Sequence, residues 1–404
     1  MIIKKKDIYF VLLILFILPS GIMSFSPFTI LKPFVQYGKY IAILCVGVDI
    51  LLHFKSTLKE YKFSLMSALF GMSFFVYLYS TPSIRDMRHL KFYISIPLGF
   101  LCVAYITEYF VKKHKHYFIK NMYRYYSAIL YFNFLFMLIK PKGFYKVGDN
   151  MIFLIAQDNG LILYIICGLM FTLLYDYMYK LKYRFELLVM ISVCLLTAII
   201  SQSATALVTS IIYLILLIII NLWGKNKVIF HIVNVRNISI FYLLINYLVI
   251  FENIIMLFAD FIINVLHRDP TLTSRTSLWQ RAILLIVQSP IYGHGYPRDI
   301  SEFAIVTEFG TRFTSHNNIL EILLRGGLIS FAVVILLIAY AHKKSMKYIK
   351  NKVIRIVIIS FIALLIFYFS EVSFSEAGWT MILALLANSN HLREYNDEDG
   401  IKIK

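Results

Sequence analysis

The sequence predicts an all-α, polytopic membrane protein of about twelve transmembrane helices with one large outer loop. Three observations predict it. The 404 residues are 60% hydrophobic and only 15% charged, with a mean hydropathy of +0.74. A water-soluble chain carries far more charge. Apolar runs recur along the whole length, many near the ~20 residues that cross a bilayer as helix. Runs such as "IIYLILLIIINLW" (Ile211–Trp223) do not alternate polar with apolar residues, which argues against the strands of a membrane barrel.

By hydropathy the spans are expected near 8–28, 34–53, 63–80, 92–111, 122–139, 160–179, 186–201, 204–223, 238–260, 319–341, 353–370 and 375–389. The N-terminal "MIIKKKDIYFVLLILF" is similar to a signal peptide. No small-x-small cleavage site follows, so it is expected to be the first helix. Cys45, Cys102, Cys167 and Cys194 each fall inside an apolar run and share no metal-site or redox spacing. They are read as small apolar residues of helices. No polar stretch is long enough for a core of its own. One transmembrane domain over 1–404 is expected, with a large extracytoplasmic loop at 264–318 inserted between two spans.

Charge orients the spans. With both termini in the cytoplasm, roughly two thirds of the 40 Lys and Arg fall in inner segments, as the positive-inside rule requires. The net charge of +18 is then mostly an anchor to the anionic inner leaflet. No basic patch lies outside these topogenic segments, so nucleic acid is not an expected partner. One outer segment departs from the pattern. From Leu266 to Arg325 the cations are Arg268, Arg275, Arg281, Arg298, Arg312 and Arg325, with no lysine, whereas lysine dominates the inner segments. Topology needs charge of either kind. A repeated choice of arginine points to its planar fork, which grips phosphate or carboxylate bidentately.

That loop is the one long extramembrane segment, and long ordered loops on a rigid scaffold carry function. Within "SRTSLWQRAILLIVQSP" the apolar residues Leu278, Trp279, Ala282, Ile283, Leu285 and Ile286 have helical spacing. An interfacial helix is expected, with Trp279 at headgroup level and Pro290 ending it. "IYGHGYP" follows, where Gly293 and Gly295 bracket His294. It reads as a shaped turn before it reads as a phosphate cradle. In "TSHNNILEILLRGGLIS", Asn318 with Glu321 has capping-box spacing, and Gly326–Gly327 suits close packing or a kink. His316 is left without a structural role. A helix N-terminus favours the neutral form of a nearby imidazole, which can accept a proton, and it attracts phosphate.

Other charged residues read more simply. Glu371 and Glu376 flank the last outer turn and are expected to be solvated. Glu108 and Asp176 lie near the inner surface and are expected to be wet. Glu252 lies in a span, where charge is costly.

Two stretches together carry a resemblance. "SRTSLWQRAILLIVQSPIYGHGY" and "SHNNILEILLRGGLIS" resemble the paired loop segments of the O-antigen ligase/polymerase superfamily of bacterial membrane glycosyltransferases. "QDNGLILYI" (Gln157–Ile165) and "SQSATALVTSIIYL" (Ser201–Leu214) resemble two further family segments in the same order. The likeness covers roughly Asp158–Ser330. It implies transfer of an oligosaccharide from an undecaprenyl-pyrophosphate carrier outside the cytoplasmic membrane of a bacterium, without a cofactor or metal. It also implies that His316 is the base for the acceptor hydroxyl and that Arg275 is the loop arginine of the site. Arg281, Arg312, Arg325 and His294 are the further substrate-binding candidates. Where relatives often carry arginine, "SQSATA" has Ala204, a departure that favours a repeat-unit polymerase over a ligase. The implied partners are the lipid-linked oligosaccharide, membrane lipid, and a flippase and chain-length regulator. A flippase for the same lipid is the reading from a different class. A transporter should show repeated halves and midplane charges, whereas here the polar chemistry concentrates in one loop.

Overall fold

Helix α2 (Leu31–Leu52) shows how the chain sorts its residues. Phe34, Tyr37, Ile41, Leu44, Val48 and Leu51 recur every three or four positions, and all are exposed. One helix face therefore turns an apolar stripe outward. Inside, Ser64, Thr107, Asn133, Thr197 and Ser360 are buried. Water would select against such an apolar exterior, whereas lipid tolerates it and lets polar side chains glue helices together.

The structure is a computed structural model that describes all residues except 1–3, 20, 23–27, 75–86, 148–149, 180–184, 224–231, 252–263, 265–274, 296–304, 308–309, 313, 373–376 and 394–404. The sequence expectations for Glu252, Arg268, Arg298 and Glu376 fall outside the described residues. After α1 (Lys5–Ile17) and α2 come α3 (Phe54–Glu60), α4 (Lys62–Ser73), α5 (Met87–Lys113) and α6 (Lys115–Ile139). A small hairpin, β1 (Tyr145–Val147) with β2 (Asn150–Ile152), precedes α7 (Leu161–Tyr179), α8 (Phe185–Ile200), α9 (Ala204–Trp223) and α10 (Val235–Ile250). The loop then supplies α11 (Arg275–Gln288) and a second hairpin, β3 (Ile305–Thr307) with β4 (Gly310–Arg312). The chain continues as α12 (Asn318–Met346), α13 (Lys352–Ser370), α14 (Ala377–Ala387) and the single turn α15 (Ser389–Leu392).

Each of the twelve expected apolar stretches carries a helix. Helices α2, α7, α12 and α13 are long and apolar enough to cross a membrane, while α8, Ala204–Ile219 of α9, α10 and α14 are shorter apolar helices. Helix α13 is the centre of the bundle. It is apolar all round, 14 of its 19 residues are buried, and α7, α9, α10, α12 and α14 pack around it. Helices α4 and α5 extend the bundle against α12 and α14. The cysteines are free thiols within helices, three of them buried.

The end of the bundle away from the loop gathers cations. Lys352 lies over the Tyr177 ring, Lys115 donates to the Arg393 carbonyl, and His342 accepts from the Arg236 backbone N–H. Glu108 is buried here, which corrects the expectation of a wet position. Its carboxylate accepts from Ser64 N at 2.9 Å, from the Ser64 hydroxyl and from Asn388 Nδ2 at 3.0 Å, and pairs with Lys112 at 3.5 Å. A buried carboxylate needs such full pairing.

At the opposite end, α12 breaks at Gly327 (φ 60°, ψ −160°), a conformation open to glycine and hardly any other residue. The "IYGHG" turn (Ile291–Gly295) fills the break. Leu328 N donates to Pro290 O, His294 N to Leu324 O and Gly295 N to Arg325 O, each at 2.8 Å. A Cβ on Gly327 would strike the Ile291 carbonyl, and one on Gly293 the Arg325 backbone. The glycines let two backbones meet, so this turn is a buttress for α12.

Candidate functional site

Four residues in a row, Ser315 to Asn318, divide their duties. Asn317 is the N-cap of α12: its Oδ1 accepts from Ile319 N at 3.0 Å and Leu320 N at 3.1 Å. Its Nδ2 donates to Asn246 Oδ1 on α10 at 2.6 Å and to the Phe369 carbonyl on α13 at 3.0 Å. The cap is thus one residue earlier than the Asn318–Glu321 spacing suggested. Glu321 reaches back past the cap to Ser315, accepting from its N–H at 2.8 Å and its hydroxyl at 2.9 Å. Asn318 is buried in the first turn.

His316 stands between these two fixed neighbours with φ +50°. A non-glycine residue in the left-handed region is uncommon and costs about 1–3 kcal/mol, so it persists only where neighbours over-determine it. Ser315 and Asn317 do so here. The backbone locks the loop, and the imidazole takes no part in the cap.

Its neighbours come from four other parts of the chain. His316 Nδ1 lies 3.5 Å from Glu371 Oε2. That nitrogen is buried without a hydrogen-bond partner among the described residues. Glu371 caps the C-terminus of α13 and is buried, which overturns the expectation of a solvated turn. Its Oε1 accepts from Arg275 Nη2 at 3.1 Å and from Asn159 Nδ2 at 2.9 Å. Asn159 Oδ1 in turn accepts from the Ser203 hydroxyl at 2.6 Å, and Ser203 Oγ accepts from Ala206 N at the start of α9. Access is graded along this chain: side-chain exposure is 30% for His316, 20% for Arg275 and 8% for Glu371. Asp158 sits one residue before Asn159. Burial raises its carboxyl above the usual carboxylate range, and Glu371 adds to the rise.

Arg275 begins α11, whose apolar face packs inward. Leu278, Trp279 and Ala282 are buried with Val249, Ile305, Leu320 and Leu324. Trp279 is therefore not a headgroup anchor. Its ring meets Phe369 edge-on and its Nε1 donates to the Ser315 carbonyl at 3.1 Å, the peptide that precedes His316. The helix has the predicted apolar spacing, but protein rather than lipid covers it.

The remaining candidates lie apart. Arg325 is buried, its Nε donating to Glu321 Oε1 at 2.9 Å. His294 Nε2 meets the Leu285 carbonyl at 2.8 Å, at the end of α11. Arg281 is exposed on α11. Arg312 is on β4 opposite Ile305. The fold thus brings together His316 and Arg275, adds Glu371, Asn159 and Ser203, and holds Arg325 and His294 in structural bonds.

Beside the site, α10, α12, α13 and α14 line a groove of about 160 Å³, with walls that include Leu243, Ile322, Phe331 and Trp379. It runs from Asn318 and Ile319, next to the site, to Arg236 and His342 at the far end. Along α12 that is about 35 Å, roughly the thickness of a bilayer core.

Chemically the arrangement offers one partly exposed imidazole and one partly exposed guanidinium on the two oxygens of a shared carboxylate, with an apolar groove starting two residues away. A family model described as O-antigen ligase matches residues 187–335. The match runs from α8 into α12 and contains Arg275 and His316, while Asn159 and Glu371 lie outside it. Neither the curated proteins nor the solved structures provide a match.

Proposed function

Through residues 187–335 the chain belongs to the O-antigen ligase/polymerase superfamily, and on that premise we propose that it is a polysaccharide polymerase joining undecaprenyl-pyrophosphate-linked oligosaccharide repeat units. The coarser frame is a multi-pass membrane protein of glycan assembly whose substrate class is a lipid-linked glycan. The observation that carries the finer reading is that His316 and Arg275 meet on the two oxygens of Glu371, with an apolar groove that begins two residues past His316, at Asn318.

The reaction is a single displacement. The acceptor sugar hydroxyl attacks the anomeric carbon of the donor. His316 takes the hydroxyl proton as the new C–O bond forms. The bond from the anomeric carbon to the pyrophosphate oxygen breaks, and the lipid pyrophosphate leaves with the electron pair. Arg275 offsets the charge that develops on it, in a cleft where water is partly excluded. Among the described residues near His316 no side chain is placed as a nucleophile with its own base, so the anomeric centre inverts. No metal or cofactor is called on. Arg281 and Arg312 are further candidates for binding the glycan or its phosphates.

The groove supports the lipid half of this reading. A polyprenyl tail lying against α12 brings its head to Asn318, two residues past His316. The cations at the far end support a cytoplasmic location for that end, with both termini inside, 264–318 as the extracytoplasmic loop and the site on the outer face. Ala204, in place of an arginine that relatives often carry, favours polymerase over ligase.

The test is genetic. A deletion strain should keep single repeat units on the carrier and lose long chains. His316→Ala and Arg275→Ala should each fail to restore long chains while protein level and membrane insertion stay normal. Long chains persisting in both variants would overturn the assignment, and repeat units failing to reach the outer face in the deletion strain would point to a flippase.

A further inference from the structure

Glu371 occupies an expensive place. It is buried, and it sits at the C-terminus of α13, where the helix dipole is already negative. A neutral residue would suit a purely structural cap better. The carboxylate persists because its two oxygens are used differently. Oε1 is occupied by Arg275 Nη2 and Asn159 Nδ2. The Ser203 hydroxyl donates to Asn159 Oδ1, which turns the amide so that its N–H faces Glu371. Oε2 faces His316 Nδ1. That nitrogen is the buried, unpartnered one.

We propose that Glu371, anchored by Asn159 and Ser203, is the positioning carboxylate of His316. Resting on the function proposed above, its role is twofold. It holds the tautomer with the proton on Nδ1, leaving the Nε2 lone pair for the acceptor hydroxyl. It then stabilises the imidazolium once that proton has moved. The 3.5 Å separation is a step longer than a hydrogen bond, as is common before substrate tightens a catalytic contact. Through Oε1 the same carboxylate sets the position of Arg275, so base and phosphate-facing cation share one support. This ties α7, α9, α11 and α13 to the reacting centre, although the matched family segment contains neither Glu371 nor Asn159.

Among the described residues, the charged groups around the pair are Arg275 on α11, Asp158 in the turn before α7 and, through Ser315, the Glu321–Arg325 pair on α12. The experiment leaves all of them unchanged. The full-length protein is reconstituted in vesicles and glycan transfer from a lipid-pyrophosphate donor is followed against donor concentration for the wild type, His316→Ala, Glu371→Gln and Asn159→Ala. Glu371→Gln should lower the maximal rate at least about tenfold and leave the KM for the donor within about twofold, because the carboxylate acts in the proton-transfer step and the amide oxygen can still accept from Arg275. Asn159→Ala keeps the carboxylate but removes its anchor, so it should lower the maximal rate by a smaller factor. A Glu371→Gln protein that matches the wild type in maximal rate, with His316→Ala inactive, would overturn the positioning role alone. A His316→Ala variant as active as the wild type would overturn the functional reading itself. Should Glu371→Gln not accumulate in the membrane, Asn159→Ala decides: an unchanged rate would overturn the proposal.

Discussion

Replacing Asn317 with alanine tests the lock that presents His316. The side chain makes four bonds at once. Losing the cap oxygen frees Ile319 N and Leu320 N, which costs about 1 kcal/mol. Losing the amide group removes donors to Asn246 Oδ1 and the Phe369 carbonyl, at about 1 kcal/mol each, and leaves the buried Asn246 acceptor unpaired for about 1 kcal/mol more. The expected total is about 3–4 kcal/mol. Asn246→Ala leaves the cap and the Phe369 bond intact and should cost about 1–2 kcal/mol. Denaturant unfolding in detergent micelles reads both, followed by the fluorescence of the three tryptophans, one of which, Trp279, touches this loop. The double variant should fall short of the sum by about 1 kcal/mol, because the two residues share one bond. Full additivity, or an Asn317→Ala protein as stable as the wild type, would refute the cross-link of α10, α12 and α13 at this cap.

Two further variants probe the supports of the site. Gly327→Ala places a Cβ against the Ile291 carbonyl in a backbone region reserved for glycine, so at least about 3 kcal/mol of stability should be lost. The yield of monodisperse protein in detergent reads it, and a wild-type yield and melting temperature would contradict the kink. Trp279→Phe keeps the ring against Phe369 but removes the donor to the Ser315 carbonyl. Stability should fall by about 1 kcal/mol, and glycan transfer should fall further because the peptide before His316 loosens. Unchanged transfer would show that the indole N–H does not position the histidine.

Much of this arrangement was legible in the sequence, for reasons that also explain the rest. The apolar stretches announce helices because their length and composition are local properties. His316 stood out because capping explained its neighbours and not it. Arg275 stood out among six loop arginines only because "SRTSLW" resembles the family segment that carries the loop arginine. The cap itself slipped by one residue, since "NN" offers two asparagines and Glu321 lies three after the second. Trp279 was assigned to a membrane interface because helical spacing shows that a helix has an apolar face and does not show what covers it. Glu371 is expected to be solvated because it shares a short polar turn with Glu376, and nothing local indicates that the end of α13 meets Arg275 and Asn159, residues 96 and 212 positions away. Such pairings are made by helix packing, and only the fold reveals them. The same holds for Ser203, whose hydroxyl bonds Asn159 across 44 positions.

The central claim is that His316 is the base of a glycosyl transfer from a lipid pyrophosphate. It is tested most directly with purified protein in vesicles containing lipid-linked repeat units and no other enzyme. Wild-type protein should lengthen the glycan and release lipid pyrophosphate in step. His316→Ala, equally inserted and folded, should do neither. Lengthening by the alanine variant at the wild-type rate would contradict the account.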